Sequence, residues 1–196
     1  MIGLPVDAII LAGGRGSRLG GADKSALIGP DGRTTLERTV SACREVDAGR
    51  VVVVGPPDVI GALDVEVTQE SPPGSGPAVA IAAGLALLQS DGLDAGDVLV
   101  VACDMPNVEP GVKALLAAKG PDGVIATDGG QRQWLLGLYR RAALARACAS
   151  LTGWGGPGNP SVRYLLSSLD LAEVAVPAGA ADDLDTPEDL IRLHYR

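Results

Sequence analysis

The sequence is poor in aromatic residues, and this restricts how its core can be built. Only 3% of its 196 residues are aromatic and none is Phe, so the core must consist of Val, Leu, Ile and Ala. Such a core is typical of helices packed on a mostly parallel sheet. A length of 196 residues suits one α/β domain.

Cysteine and histidine are also scarce. The three cysteines, Cys43, Cys103 and Cys148, are too widely spaced for a zinc site or a disulfide framework. This favours a reducing, cytoplasmic location. Hydrolysis by a Ser-His-Asp triad is excluded, because the single histidine, His194, lies in the last predicted helix, away from the other candidate residues. Cys103 is expected to belong to the core.

Acidic residues outnumber basic residues, and the sequence has no long apolar run. The net charge of −8 argues against nucleic-acid binding, although it leaves room for a small anion in a local basic pocket. The apolar run Val6–Leu11 is too short for a signal peptide or a membrane span, and no basic stretch precedes it. We therefore expect no membrane association.

Short apolar runs alternate with helical patterns along the chain. Strands are predicted at Val6–Leu11, Val51–Val54, 65–68, 98–102, 123–127, 134–139 and 173–176. Helices are predicted after a capping box at Thr34 and Glu37, and at Pro77–Leu88, 110–119, 141–150, 161–168 and 187–195. The alternation predicts a three-layer, doubly wound α/β fold. The link between 123–127 and 134–139 is too short for a crossover, so this pair should be antiparallel and the sheet mixed.

A glycine-rich, basic stretch, "LAGGRGSRLGGADK", follows the first strand. Its glycines allow tight turns and bring backbone N–H groups close to a ligand, and Arg15, Arg18 and Lys24 add positive charge. In an open α/β sheet, ligands bind at the carboxyl ends of the strands, where this loop must lie. The stretch fits neither a Walker loop nor a dinucleotide fingerprint. It predicts a polyphosphate site of another type; the alternative is a plain surface loop.

The stretch "VLVVACDMPNV" places an acid directly after a buried strand. The carboxylate of Asp104 should then lie at the same sheet edge as the glycine loop. Magnesium is usually held by one or two carboxylates together with phosphate oxygens and waters. Asp104 is therefore the predicted Mg²⁺ ligand, and capping of the next turn is the alternative.

The first motif resembles the signature of nucleotidyltransferases of the molybdenum cofactor guanylyltransferase type. The matching residues are Leu11, Ala12, Gly13, Gly14, Arg18, Leu19, Gly20, Asp23 and Lys24, while Gly16 stands where Ser is commoner. The resemblance extends over almost the whole chain and includes Asp104 as the metal ligand. It implies one nucleotidyltransferase domain, 1–196, whose first half binds GTP and whose second half binds the acceptor.

The resemblance also implies roles for individual residues. The GTP site would include Leu11, Ala12, Gly13, Gly14, Arg15, Gly16, Lys24, Glu70, Gly76, Pro77 and Asp104. Arg18, Lys24 and Asp104 would be the catalytic residues. Gly13 and the pair Gly76-Pro77 favour guanine, whereas Ala80 departs from the guanylyltransferase pattern and leaves cytosine as the alternative. Gly55 also departs from the pattern, and no role carries over at that position.

Further residues would serve the acceptor. Asp183, in "ADDLDTPEDL", would be a second metal ligand or an acceptor contact, with a solvated acid as the alternative. Asp185 and Thr186 are explained by capping of the last helix. Arg132 and Arg163 would bind an acceptor phosphate, or would be ordinary surface residues. Trp154 would pack on a pterin or anchor its loop.

The activity implied by the resemblance is transfer of GMP from GTP to molybdopterin, with or without molybdenum, and release of pyrophosphate. Mg²⁺ would be the cofactor. The protein would make transient contacts with the proteins that deliver the acceptor or receive the product. A cytidylyltransferase, a guanylyltransferase of another small phosphate and a non-catalytic nucleotide-binding regulator are the alternatives.

Overall fold

A computed structural model of the chain describes residues 6–16, 19–90, 96–153, 155 and 158–196. Its strands are β1 Val6–Leu11, β2 Arg15–Gly16, β3 Ala22–Asp23, β4 Val51–Val54, β5 Glu66–Thr68, β6 Asp97–Ala102, β7 Gly123–Asp128, β8 Gln131–Arg140 and β9 Leu171–Ala175. Its α-helices are α1 Thr35–Arg44, α2 Pro77–Leu88, α3 Glu109–Ala117, α4 Arg141–Ala149, α5 Val162–Leu166 and α6 Pro187–Leu193.

Seven strands form one mixed sheet in the order β5-β4-β1-β6-β8-β7-β9. The pairs β5–β4, β4–β1, β1–β6 and β7–β9 are parallel, whereas β8 is antiparallel to both β6 and β7. The predicted antiparallel pair is confirmed, and the turn between its strands uses Gly129 and Gly130 at φ 55° and 79°. The predicted α/β architecture is confirmed.

Apolar side chains fill the space on both faces of the sheet. Ile10 of β1 belongs to the cluster under α1 and α3, and its neighbour Ile9 belongs to the cluster under α2, α4 and α5. This alternation is expected because successive strand residues point to opposite faces. Both clusters consist mainly of Val, Ile, Leu and Ala, as the scarcity of aromatic residues predicted.

Element boundaries differ from the sequence-based prediction by a few residues. The predicted capping box of α1 is present, with Thr34 accepting from the N–H of Glu37. The last helix ends at Leu193, two residues before the predicted end, because His194 adopts a left-handed conformation at φ 58°. The antiparallel pair β2–β3 was not predicted; it is two residues long on each side and carries no apolar pattern. Within the described residues, no helix is both long and apolar enough to cross a membrane.

Candidate active site

The carboxyl ends of β1, β4 and β6 lie side by side and carry the main candidate segments. The N–H of Ala12 donates to the carbonyl of Val54 at 2.8 Å, and the N–H of Cys103 donates to the carbonyl of Leu11 at 3.0 Å. These hydrogen bonds extend the ladder beyond the ends of the strands. The glycine-rich loop and Asp104 therefore begin at the same sheet edge, which is the usual ligand site of open α/β sheets.

A cavity of about 600 Å³ opens at this edge. Its volume lies within the range of roughly 300–1,000 Å³ that is typical of small-ligand sites. The predicted residues that line it are Leu11, Gly13, Gly14, Lys24, Glu70, Gly76, Pro77 and Asp104. The glycine loop, the 69–77 loop and the end of β6 form its walls, together with Leu135 of β8. Ala12, also predicted, lies directly behind the lining and is buried.

The residue after β4 must be small for the glycine loop to hold its place. A Cβ added at Gly55 would lie 3.1 Å from the carbonyl carbon of Ala12 and 3.2 Å from its oxygen. Real Cβ atoms rarely come this close to backbone. Gly55, noted as a departure from the guanylyltransferase pattern, therefore permits tight packing of two neighbouring strand ends.

Lys24 and two carboxylates form the polar centre of the site. The ammonium of Lys24 donates to Oδ2 of Asp104 at 2.8 Å and also donates to Oδ1 of Asp185. The turn Lys24–Ala26 that carries the lysine is a short 3₁₀ helix, capped by the side chain of Asp23. Residues far apart in sequence thus converge on one point at the rim of the cavity.

The surroundings of Lys24 keep its ammonium charged. Burial by itself would lower its pKa, but the hydrogen bonds and charges of Asp104 and Asp185 outweigh burial and raise the pKa above its ordinary value. The lysine therefore serves as a permanent positive charge, suited to a phosphate ligand and unsuited to proton transfer near neutral pH.

Asp183 lies in the same acidic environment. Burial raises its pKa to about 7, and the charges of Asp104 and Asp185 add to the effect. Three carboxylates therefore lie around one lysine. A site with this excess of negative charge favours an additional cation.

Sequence analysis missed the role of Asp185. Its side chain was attributed to capping of α6, but the capping box is formed by Thr186 and Asp189, and the carboxylate of Asp185 pairs with Lys24 instead. Leu184, between the two acids, is fully buried, and its N–H donates to the carbonyl of Asp104 at 3.0 Å. The Asp-x-Asp spacing around a buried leucine was the signal that could have found it.

Glu70 organises the loop that precedes α2. Its Oε1 accepts the N–H of Gly74 at 2.9 Å, and the side chain of Asn159 donates to the carbonyl of the same glycine at 3.2 Å. Gly74 and Gly76 have φ of 81° and 89°, which favours glycine at both positions. The loop thus presents Glu70, Gly76 and Pro77 to the cavity.

The two arginines predicted for the acceptor lie elsewhere. Within the described structure, neither lines the cavity. Arg132 donates to Glu173 at 2.7 Å, and its guanidinium carbon lies 5.6 Å from the centroid of the Trp134 ring. Arg163 is exposed on α5. Cys103 is buried, as predicted, and burial raises the pKa of its thiol.

Some candidate residues cannot be placed. Arg18 and Trp154 lie outside the described residues, and only the backbone of Arg15 and Gly16 is described, in β2. Their predicted roles therefore stay predictions.

The carboxylates of the site suit a metal ion that also takes ligands from a bound substrate. In the described part of the chain, no group of three or more His, Cys, Asp or Glu side chains is arranged to hold a metal ion. Mg²⁺ is usually bound by one or two carboxylates plus substrate phosphates and waters. Asp104 and Asp183 offer the hard oxygen ligands that such an ion prefers.

Comparison with known families identifies the family of the chain. Residues 8–174 match the family described as the MobA-like NTP transferase domain. The chain belongs to this family. The cavity formed by a glycine loop, a lysine and an aspartate is therefore the candidate active site of a nucleotidyltransferase.

A curated relative gives a narrower comparison. The chain is 32% identical to a molybdenum cofactor guanylyltransferase of Xanthomonas euvesicatoria over 193 residues, which covers 96% of this chain and 94% of the relative. Membership of this nucleotidyltransferase family therefore rests on nearly the full length of the chain.

Solved structures share the fold with different activities in their names. Molybdopterin-guanine dinucleotide biosynthesis protein A of Archaeoglobus fulgidus aligns with a TM-score of 0.69 at 21% identity, covering 95% of this chain and 96% of that chain. The inositol-1-phosphate CTP transferase of T. maritima aligns with a TM-score of 0.66 at 13% identity, covering 94% and 91%. These likenesses establish the fold and leave the substrate open.

Proposed function

We propose that the protein transfers GMP from GTP to the terminal phosphate of molybdopterin, with or without molybdenum, and releases pyrophosphate. The observation that carries the proposal is the placement of Lys24 against Asp104 at the rim of the glycine-lined cavity. Membership of the MobA-like family and the name of the curated relative support the choice of substrates.

The chemistry asks mainly for positioning and charge neutralisation. An oxygen of the acceptor phosphate forms a bond to the α-phosphorus of GTP, and the bond from that phosphorus to the bridging oxygen of pyrophosphate breaks. The nucleophile is already an anion, so no general base is needed. Lys24 and the backbone N–H groups of Gly13 and Gly14 would neutralise and orient the triphosphate, with Arg18 as a further predicted cation.

Mg²⁺ is the proposed cofactor, held by Asp104 and Asp183. When bound with the nucleotide, it would neutralise phosphate charge that one lysine cannot balance. Asp183 has a raised pKa because it is buried beside other carboxylates, and a divalent cation at that point would favour its ionised form.

Glu70 is the proposed determinant of the base. Its carboxylate lines the cavity and has one oxygen engaged with the N–H of Gly74. An ionised carboxylate can accept hydrogen bonds but cannot donate them. Guanine presents two adjacent N–H donors on its Watson–Crick edge, whereas cytosine presents one amino group beside ring acceptors. The carboxylate is therefore better matched to guanine.

The acceptor is proposed to approach from the side of β8 and α6. Arg132, at the start of β8, is held by Glu173 and by the face of Trp134. Its remaining donors could meet a phosphate. Arg163 and Asp183 complete the proposed acceptor contacts. Proteins that deliver molybdopterin or receive the product in the cytoplasm would be its transient partners.

The proposal is tested by measuring pyrophosphate release from GTP, CTP and ATP, with and without molybdopterin, in the presence of Mg²⁺. We expect release that requires both GTP and molybdopterin and that falls at least ~100-fold in Asp104→Ala. Lys113→Met serves as a control, since this exposed lysine pairs with Glu109 of α3 and with Glu45, directly after α1, outside the site.

Other outcomes would change the assignment. Release with CTP alone would identify a cytidylyltransferase, and release with GTP and a different phosphate would identify another acceptor. Nucleotide binding without turnover, unchanged in Asp104→Ala, would point to a non-catalytic regulator.

A further inference from the structure

A small apolar cluster, separate from the two main cores, lies beneath Lys24. Its buried members are Leu27, Leu184 and Tyr195, and the partly buried Leu19, Leu190 and Leu193 pack against it. It joins the loop 19–29, which carries Lys24, to α6 and the residues on either side of that helix. The segments that carry Lys24 and its partner Asp185 thus share one small core.

The backbone of Arg196, the residue after Tyr195, is paired with the loop that carries Lys24. The N–H of Ile28 donates to the carbonyl of Arg196 at 2.8 Å, and the N–H of Arg196 donates to the carbonyl of Ile28 at 3.1 Å. This reciprocal pair has the pattern of a strand ladder. Arg196 therefore holds the loop at Ile28, four residues beyond Lys24.

The ring of Tyr195 packs directly against the loop backbone. A Cβ added at Gly29 would lie 3.0 Å from both Cζ and Oη of Tyr195 and 3.1 Å from Nε of Arg38. The guanidinium carbon of Arg38 lies 5.8 Å from the centroid of the Tyr195 ring. The ring is thus in contact with the glycine and the arginine, and its place depends on the absence of a side chain at Gly29.

Helix α1 holds the same loop on its other side. The hydroxyl of Thr35 donates to the carbonyl of Lys24, and the N–H of Thr35 donates to the carbonyl of Leu27 at 3.0 Å. The loop that carries Lys24 is therefore held by α1 at Lys24 and Leu27, and by Arg196 at Ile28.

We propose that Tyr195 is a positioning residue for Lys24 in the nucleotidyl transfer reaction. The inference rests on the proposed function, in which the ammonium of Lys24 meets the triphosphate. The location of the ammonium depends both on the carboxylates of Asp104 and Asp185 and on where the backbone of Lys24 is held. A displacement of about 1 Å can cost about 100-fold in rate.

The hydroxyl of Tyr195 contributes little to this role. Oη is buried and has no hydrogen-bond partner among the described residues. The packing surface of the ring and the backbone pair are what hold the loop. Phenylalanine should therefore replace tyrosine without loss, which separates the positioning role from any polar role.

The test compares kcat/KM for Mg·GTP in Tyr195→Ala, Tyr195→Phe and Lys24→Met, and in the double variant Tyr195→Ala/Lys24→Met. We expect a loss of at least ~10-fold in Tyr195→Ala and less than ~2-fold in Tyr195→Phe. The double variant should be no worse than Lys24→Met, because residues that act through one group are not additive. Ile191→Ala is the matched control, since this α6 side chain is 76% exposed.

Two results would overturn the inference alone: wild-type kcat/KM in Tyr195→Ala, or a full further loss when Tyr195→Ala is added to Lys24→Met. If Lys24→Met itself leaves kcat/KM unchanged, the proposed function fails and this inference fails with it. Gly29→Ala is a second test should Tyr195→Ala not fold, because its Cβ would lie 3.0 Å from the ring and the ring would have to shift by a few tenths of an ångström. A normal kcat/KM in Gly29→Ala would also count against the inference.

Discussion

Lys24 is surrounded by more negative charge than it can balance. It pairs with Asp104 and Asp185, and the pKa of Asp183 is raised to about 7 by burial and by these neighbouring carboxylates. Removing the lysine from this partly buried set would leave the carboxylates without their counter-ion, which costs more than the ion pair itself contributes. The residues of the site should therefore respond strongly to single substitutions.

Lys24→Met is expected to weaken Mg·GTP binding about 10- to 100-fold, since a hydrogen bond to a charged group contributes about 1.5–3 kcal/mol. Equilibrium binding of labelled GTP measures the change. Lys113→Met should bind GTP like the wild type. Unchanged binding in Lys24→Met would show that the triphosphate lies elsewhere.

Asp185→Asn is expected to lower kcat about 10-fold, because Lys24 loses a charged partner that fixes its side chain. The comparison is with Asp182→Asn, whose carboxylate pairs with Arg192 on the surface of α6. Equal kcat values for the two variants would show that Asp185 has no part in placing the lysine.

Single residues differ in how far sequence could predict them. Lys24 and Asp104 were found because each belongs to a recognisable motif that begins in a buried strand, β1 for the lysine and β6 for the aspartate. Asp185 was missed because a helix cap gave a sufficient local explanation. The ion pair of Arg132 with Glu173 depends on the pairing of β7 with both β8 and β9, which local patterns do not contain.

At the scale of elements, the close approach of α2 to the sheet shapes the site. A Cβ added at Gly84 would lie 2.8 Å from Cγ2 of Ile9 in β1 and 2.9 Å from Cγ2 of Val54 in β4. Both neighbours are β-branched and buried, so they have little freedom to move. The glycine lets α2 pack against the two strands that end at the cavity.

Gly84→Ala is therefore expected to lower the free energy of unfolding by a net amount of about 1 kcal/mol. This net loss remains after the gain of about 1 kcal/mol that alanine brings over glycine in a helix. Urea unfolding measures the change. Ala86→Gly, at an exposed position of the same helix, should lose about 1 kcal/mol from helix propensity alone. Stabilisation by Gly84→Ala would mean that propensity outweighs packing here.

The main elements were predictable because their patterns are local. Apolar runs marked the strands, and Thr34 and Thr186 marked two helix starts that the structure confirms as capping boxes. The strand order was not predictable in the same way, since pairing of β6 with β8 joins residues some forty positions apart. The pair β2–β3 was missed because its four residues, Arg15, Gly16, Ala22 and Asp23, form no apolar run.

At the scale of the whole molecule, the ionisation of Asp183 should make stability depend on pH. Its folded-state pKa of about 7 lies above the ordinary value of 3.8. Between pH 3.8 and about pH 7, Asp183 is protonated in the folded state and ionised in the unfolded state. The free energy of unfolding therefore falls as the pH rises through this window.

Asp183→Asn removes this dependence. Near pH 4 the variant and the wild type should be equally stable. Above pH 7 the variant should be more stable than the wild type by about 2 kcal/mol. This value is smaller than the full pKa shift implies, because Asp183 is partly exposed to solvent. Thermal unfolding across this pH range, without nucleotide, measures the difference. A constant difference at all pH values would show that Asp183 does not titrate in this window.

The central claim is that the whole fold presents a Mg·GTP site, and thermal stabilisation by nucleotides tests it most directly. A ligand at about 100 times its dissociation constant should stabilise the folded state by about 2.7 kcal/mol. We predict that GTP with Mg²⁺ raises the Tm, that CTP and ATP do so far less, and that Asp104→Ala abolishes the shift. No shift with any nucleotide, or an equal shift in Asp104→Ala, would contradict the account.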